Sequence, residues 1–158
     1  MNNAIGSAGV LLGLLGSLAG AGAVLVGLLR DRPNLLRSAT AYGALVLTGA
    51  VVAAVAMERA LITRDFTVLY VAENGSSRTP ALFNVATLWA ALEGSIILWA
   101  LVLAGYLVAV LWKFRDRLTD PLVGWAVLTM FVVTAFFFFL MTGPADPFRS
   151  FDPPVGYD

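Results

Sequence analysis

AIGSAGVLLGLLGSLAGAGAVLVGLL, residues 4 to 29, runs without a single charged side chain. At 1.5 Å per residue a helix over this stretch reaches about 39 Å, more than the ~30 Å hydrocarbon core of a bilayer. Three further runs repeat the pattern. Ala39 to Met57 carries no charge, Ala81 to Trp112 carries only Glu93, and Leu122 to Met141 carries none. The breaks between them hold nearly all the charges, with an outer loop over residues 58 to 80. The pattern predicts an all-α integral membrane bundle of about four transmembrane helices, over residues 4–29, 39–57, 81–112 and 122–141.

Composition agrees. Hydrophobic residues make up 59% of the 158 and charged residues 13%, and mean hydropathy is +0.86, so lipid is the expected solvent. MNNAIG lacks a basic segment before the first run, and that run is too long for a signal peptide, so a permanent helix is expected. The sequence holds no Cys and no His, which excludes thiol and imidazole chemistry from its own side chains. Ten basic and ten acidic residues cancel; a nucleic-acid partner is not expected. No glycine-rich phosphate loop, paired carboxylate site or nucleophile constellation is present, so the catalytic and metal-site expectation is none.

Basic residues set the expected orientation. With both termini outside, the inner connections hold Arg30, Arg32, Arg37, Lys113, Arg115 and Arg117, and the outer segments hold Arg59, Arg64, Arg78 and Arg149. The inner loops are also the short ones, so N-out and C-out is the expected topology. Thr119 or Asp120 can cap the fourth helix before Pro121, Gly143-Pro144 can end it, and Thr79-Pro80 can open the third. Trp112 and Lys113 read as an interface anchor pair. In the outer loop, FTVLYVA alternates in the manner of a short extended or interfacial piece, followed by turn chemistry in ENGSS.

Gly6, Gly9, Gly13, Gly16 and Gly20 recur at spacings of three and four. Lipid supplies no hydrophobic drive between helices, so such a small-residue stripe suits close backbone approach to another helix. Glycine is also simply common in membrane helices. Glu93 is the one ionisable side chain within the four runs and the leading candidate for function. Nineteen residues separate it from Trp112, about 28 Å at 1.5 Å each, which sets it near the outer boundary if Trp112 marks the inner one. There it can stay charged and meet water, an Arg or a polar ligand head; a structural role, capping or pairing with Arg64 or Arg78, stands beside the functional one. Trp89, one helical turn earlier, shares its expected face with Ala86, Ala90 and Ala100. The run Phe136 to Phe139 surrounds its helix, which lipid and protein packing explain.

The stretch TRDFTVLYVAENGSSRTPALFNVATLWAALEGSIILW, residues 63 to 99, resembles the N-terminal part of the CcmF/NrfE family of cytochrome c-type biogenesis proteins. Asp65, Phe66, Tyr70, Val71, Ala72, Asn74, Trp89, Glu93, Gly94, Ser95 and Trp99 match, in order, the family pattern of an SDFSVxYVAxNSN loop followed by a WGGHEGSLLLW-like helix start. MTGPADPFRSFDPP, residues 141 to 154, is similar to the family's TSNPFERLxPPP. The resemblance covers essentially the whole chain but only the beginning of the family architecture: the WWD motif and the haem-ligating histidines lie further along in family members. A piece of a longer protein is therefore expected. Leu92 stands where the family has His, and Ala90 and Ala91 where it has two glycines.

The resemblance implies a multi-pass protein of the bacterial cytoplasmic (inner) membrane engaged in cytochrome c maturation, with haem attached to apocytochrome c by a haem lyase. Haem belongs to the full-length family protein, and none is expected to be ligated by these residues. The implied partners are the remaining part of the haem lyase, other maturation subunits, apocytochrome c and the bilayer. Trp89, Glu93, Gly94, Ser95 and Trp99 carry over as motif residues, in a segment acting as scaffold and docking region without catalysis of its own. A rival reading is a subunit of an ion-translocating complex with Glu93 as the proton-bearing acid, although such pathways usually display several intramembrane ionisable groups. A third is a small structural bundle.

Overall fold

The computed structural model describes residues 1–75, 83 and 86–154. Its elements are α1 (Asn2–Leu29), α2 (Pro33–Ile62), a short α3 (Leu69–Asn74), α4 (Leu92–Lys113) and α5 (Pro121–Leu140), with a 3₁₀ turn at Arg115–Arg117. The four long helices are each apolar and long enough to cross a membrane. They pack in the order α1, α2, α4, α5 and back to α1, with α1 and α2 the most intimate pair. Among the described residues there is no strand, only an isolated antiparallel bridge between Val68 and Ser150.

Both ends of α2 depart from the sequence reading. α2 begins at Pro33, not Ala39, because a proline at the first helical position already has the required φ and lacks only an N–H that would have no partner there. It then continues past Met57 through Glu58 and Arg59 to Ile62. Its stop is a Schellman motif built without glycine: Arg64 takes φ 54°, its N–H bonds Leu61 O at 3.3 Å, and the Asp65 N–H bonds Ala60 O at 2.9 Å. α1 ends in a related way, with Asp31 at φ 48° and the Arg32 N–H on Gly27 O at 2.9 Å. Ser38 to Met57, the uncharged stretch between Arg37 and Glu58, measures about 30 Å as helix, one hydrocarbon thickness.

The third spanning helix starts at Leu92, eleven residues later than its apolar run suggests. Thr79, Pro80 and Arg78 lie outside the described residues. FTVLYVA is not an extended piece. Its second half is α3, and only the segment around Val68 pairs with another strand-like segment. At the opposite end of α4, Arg115 stacks on Trp112 at 5.9 Å. Asp120 is the cap of α5, accepting the Leu122 N–H at 2.9 Å with Pro121 following.

The glycines of α1 form two adjacent stripes rather than one. Gly6, Gly13 and Gly20, at heptad spacing, receive the rings of Phe148, Phe138 and Phe131, each lying where a Cβ would be. Gly9 and Gly16 turn toward α2, where Gly9 opposes Gly49 and Ala53. Phe131 and Phe138 on α5 are fully buried; they act as knobs entering glycine notches. Phe136 and Phe139, by contrast, are more than half exposed. The third notch falls beyond the end of α5, and Phe148 from the following segment fills it.

Candidate functional site

At the end of the bundle where α1 starts, the chain's three excursions are knitted together. Asn2 Nδ2 donates to Asp65 Oδ2 at 2.8 Å. Asn3 Nδ2 donates to Thr67 O and Ser150 Oγ, both at 3.1 Å. The Leu69 N–H reaches Arg149 O at 2.9 Å, and the Phe151 N–H reaches Thr67 O at 2.8 Å. Burial alone would raise the Asp65 carboxyl; hydrogen bonds from Thr67 and Asn2, with the positive amino terminus, outweigh it and hold the group below the usual carboxylate range. The segment after α5 is thus anchored back onto α1 and the α2–α3 loop.

Beside this knot lies a helix break. Phe83, Ala86 and Thr87 are helical, Leu88 to Ala90 form a turn, and Ala91 is extended (φ −133°, ψ 175°) before α4 begins. A break frees backbone carbonyls, and those of the buried Thr87 and Leu88 need donors. Tyr70, buried in α3, supplies one: its hydroxyl donates to Thr87 O at 2.7 Å and lies 3.2 Å from Leu88 O. Ser95 Oγ donates to Trp89 O at 3.2 Å, and the Ser95 N–H bonds Ala91 O at 3.1 Å. Gly94 makes the arrangement possible, since a Cβ there would collide with Leu88 O and the Tyr70 hydroxyl. Burial raises the Tyr70 hydroxyl above its ordinary range; the Ala91 backbone amide pulls it down and the Glu93 charge pushes it up again.

The structure therefore brings Gly94 and Ser95 together with Tyr70, and separates their role from that of the aromatics. Trp89, Leu92 and Trp99 are each more than half exposed, and Leu92 and Trp99, two helical turns apart on α4, share one of its faces. Trp89 does not sit one helical turn before Glu93, because the break intervenes. Glu93 lies in the first turn of α4, where the positive end of the helix dipole favours a carboxylate. From Leu92 to Lys113, α4 measures about 33 Å, close to one hydrocarbon thickness, with Glu93 in its first turn and Lys113 in its last. Sequence reasoning does not reach Thr87 and Leu88, whose contribution is through carbonyls and leaves no side-chain signal. It also stops short of Glu58, which α2 carries within its last turns.

No protein-family model matches the chain. It is 30% identical over 122 residues to the cytochrome c-type biogenesis protein CcmF of Escherichia coli, covering 77% of this chain and 19% of that protein. It is 34% identical over 93 residues to the probable cytochrome c-type biogenesis protein NrfE of the same organism, covering 58% of this chain and 16% of that one. The solved cytochrome c haem lyase CcmF superposes with a TM-score of 0.86 and 34% identity over 98% of this chain and 26% of that one. The chain belongs to the CcmF family. It spans only 15% to 19% of the length of its curated CcmF relatives. Four membrane-length helices and bacterial CcmF relatives make it a multi-pass protein of the bacterial inner membrane. Nothing in the fold or among these CcmF relatives supports the ion-translocating reading, and Glu93 stands at a helix end rather than mid-membrane. With neither His nor Cys in the sequence, these residues do not fit haem ligation by imidazole or thiolate.

Proposed function

We propose that the chain is the scaffold and docking segment of a membrane haem lyase that attaches haem to apocytochrome c during cytochrome c maturation. The observation that carries this reading is the match in fold, at 34% identity over nearly the whole chain, to a solved cytochrome c haem lyase. In this reading both termini face outward, following the excess of basic residues in the loops at the opposite end. The knot of α1, the α2–α3 loop and the segment after α5 then forms an outer platform. The helix break fixes Trp89, Leu92 and Trp99 as an aromatic and apolar contact face for the remaining part of the lyase or for maturation subunits. Tyr70, Gly94 and Ser95 are positioning residues beneath it, and Glu93 places a charge at its edge. Haem itself is held by other parts of the assembly, which bring the reacting groups to this end of the bundle.

The test is Trp89→Ala/Trp99→Ala in the protein expressed from its own gene. Both rings are exposed, so little internal packing is lost and accumulation in the membrane should hold. If the rings dock a partner, removing two aromatic anchors at about 2 kcal/mol each lowers covalent haem on a reporter apocytochrome by tenfold or more. Unchanged haem attachment at equal protein level would remove the contact face from the account.

A further inference from the structure

α2 carries, one turn from its end, two charged side chains of opposite sign in sequence. Glu58 Oε2 is buried without a hydrogen-bond partner, a costly state for a carboxylate oxygen. Arg59 is exposed beside it. Two apolar grooves of about 260 and 440 Å³ descend from this point, one on each side of α2. Val55 and Arg59 line both, so they form a ridge between them. The first groove runs past Ile5 and Val52 to Val51; the second runs between Ile62 and Leu88 down to Leu101, with Glu58 in its wall. From Arg59 to Val51 is two helical turns, about 12 Å, most of the ~15 Å hydrocarbon depth of one leaflet.

We propose that this cradle binds one phosphatidylethanolamine molecule of the leaflet that contains the start of α1. Its two acyl chains lie in the two grooves astride Val55, its phosphate on the Arg59 guanidinium and its ammonium on the Glu58 carboxylate where it lines the second groove. Twin grooves that meet at one polar end match two tails joined at one head. The adjacent charges match a zwitterion that carries both an anion for bidentate Arg recognition and an N–H donor for a carboxylate. Phosphatidylglycerol offers the phosphate without the ammonium.

Native mass spectrometry of the intact protein, extracted from its membrane and supplied with phosphatidylethanolamine or phosphatidylglycerol, tests this. The wild type is expected to retain one phosphatidylethanolamine in clear preference to phosphatidylglycerol. Glu58→Gln is expected to abolish that preference, and the Glu58→Gln/Arg59→Gln double variant to weaken retention about tenfold or more, the scale of one charged hydrogen bond. Val55→Trp, on an exposed ridge where folding is not at stake, should reduce retention of both lipids by crowding the groove mouths. Equal retention of the two lipids by the wild type, or undiminished phosphatidylethanolamine on the double variant and on Val55→Trp, would overturn the proposal. So would a photocrosslinker at position 55 that captures protein instead of lipid.

Discussion

Gly49→Ala is expected to separate α1 from α2 and to destabilise the bundle by about 2–3 kcal/mol, the scale of overpacking at a site that cannot yield. A Cβ at Gly49 would stand 2.5 Å from Gly13 N, 2.6 Å from Gly9 O and 2.9 Å from Gly13 Cα. All three are backbone atoms, so no rotamer change relieves the contact, and one helix must move. The better helix propensity of alanine returns at most about 1 kcal/mol, so the steric cost wins. Gly22→Ala is the control, since nothing lies within 4 Å of a Cβ there; it should be neutral or mildly stabilising. Unfolding of the purified protein in a denaturing-detergent titration reads both. Equal midpoints for the two variants would mean that the crossing of α1 and α2 is looser than described.

A second large effect is expected at the helix break. Gly94→Ala places a methyl against Leu88 O and the Tyr70 hydroxyl. Relief requires Tyr70 to withdraw from Thr87 O and Leu88 O or the turn at Leu88 to Ala90 to shift. Either leaves buried carbonyls without a donor, at about 1–3 kcal/mol each, so a total near 3 kcal/mol follows. Tyr70→Phe, which removes the donor but not the space, should cost less, about 1–2 kcal/mol for one hydrogen-bonding group. Gly105→Ala, in open surroundings on the same helix, should leave stability unchanged. The ordering Gly94→Ala below Tyr70→Phe below Gly105→Ala in detergent-unfolding midpoint is the expected result. Gly94→Ala matching Gly105→Ala would show that the break is not locked by this contact.

The two glycine effects also show what a one-dimensional pattern can carry. Four uncharged runs are sufficient to read four spanning helices, because the length and polarity of the bilayer core impose both properties on the chain. The glycines of α1 announce close packing for the same reason. Which glycine meets α2 and which receives a ring of α5 depends on the rotation of α1, and heptad spacing alone leaves that open until Phe131 and Phe138 are placed. The bounds of α2 are less legible. Pro33 is a signal present in the sequence, whereas the Schellman stop at Arg64 uses a residue with no preference for the left-handed region.

The helix break illustrates the opposite limit. Residues 81 to 112 read as one apolar run, since the turn at Leu88 to Ala90 is itself apolar and its carbonyls are met by Tyr70, distant in sequence. The distance from Glu93 to Trp112 pointed to a helix of membrane length between them, and α4, Leu92–Lys113, has that length. Its position in the first helical turn, and the division of labour between the exposed Trp89 and Trp99 and the buried Gly94, needed the three-dimensional arrangement. Glu58 lay hidden in the same way, at a point where charge suggested a loop and the backbone continued as helix.

The central claim is that this chain serves covalent haem attachment, and the most direct measurement is haem staining of c-type cytochromes after removal of its gene from a strain with no other haem lyase. The account predicts that c-type cytochromes lose their covalent haem, that proteins binding haem non-covalently keep theirs, and that returning the gene restores the first group. Undiminished covalent haem on the c-type cytochromes of that strain would contradict it.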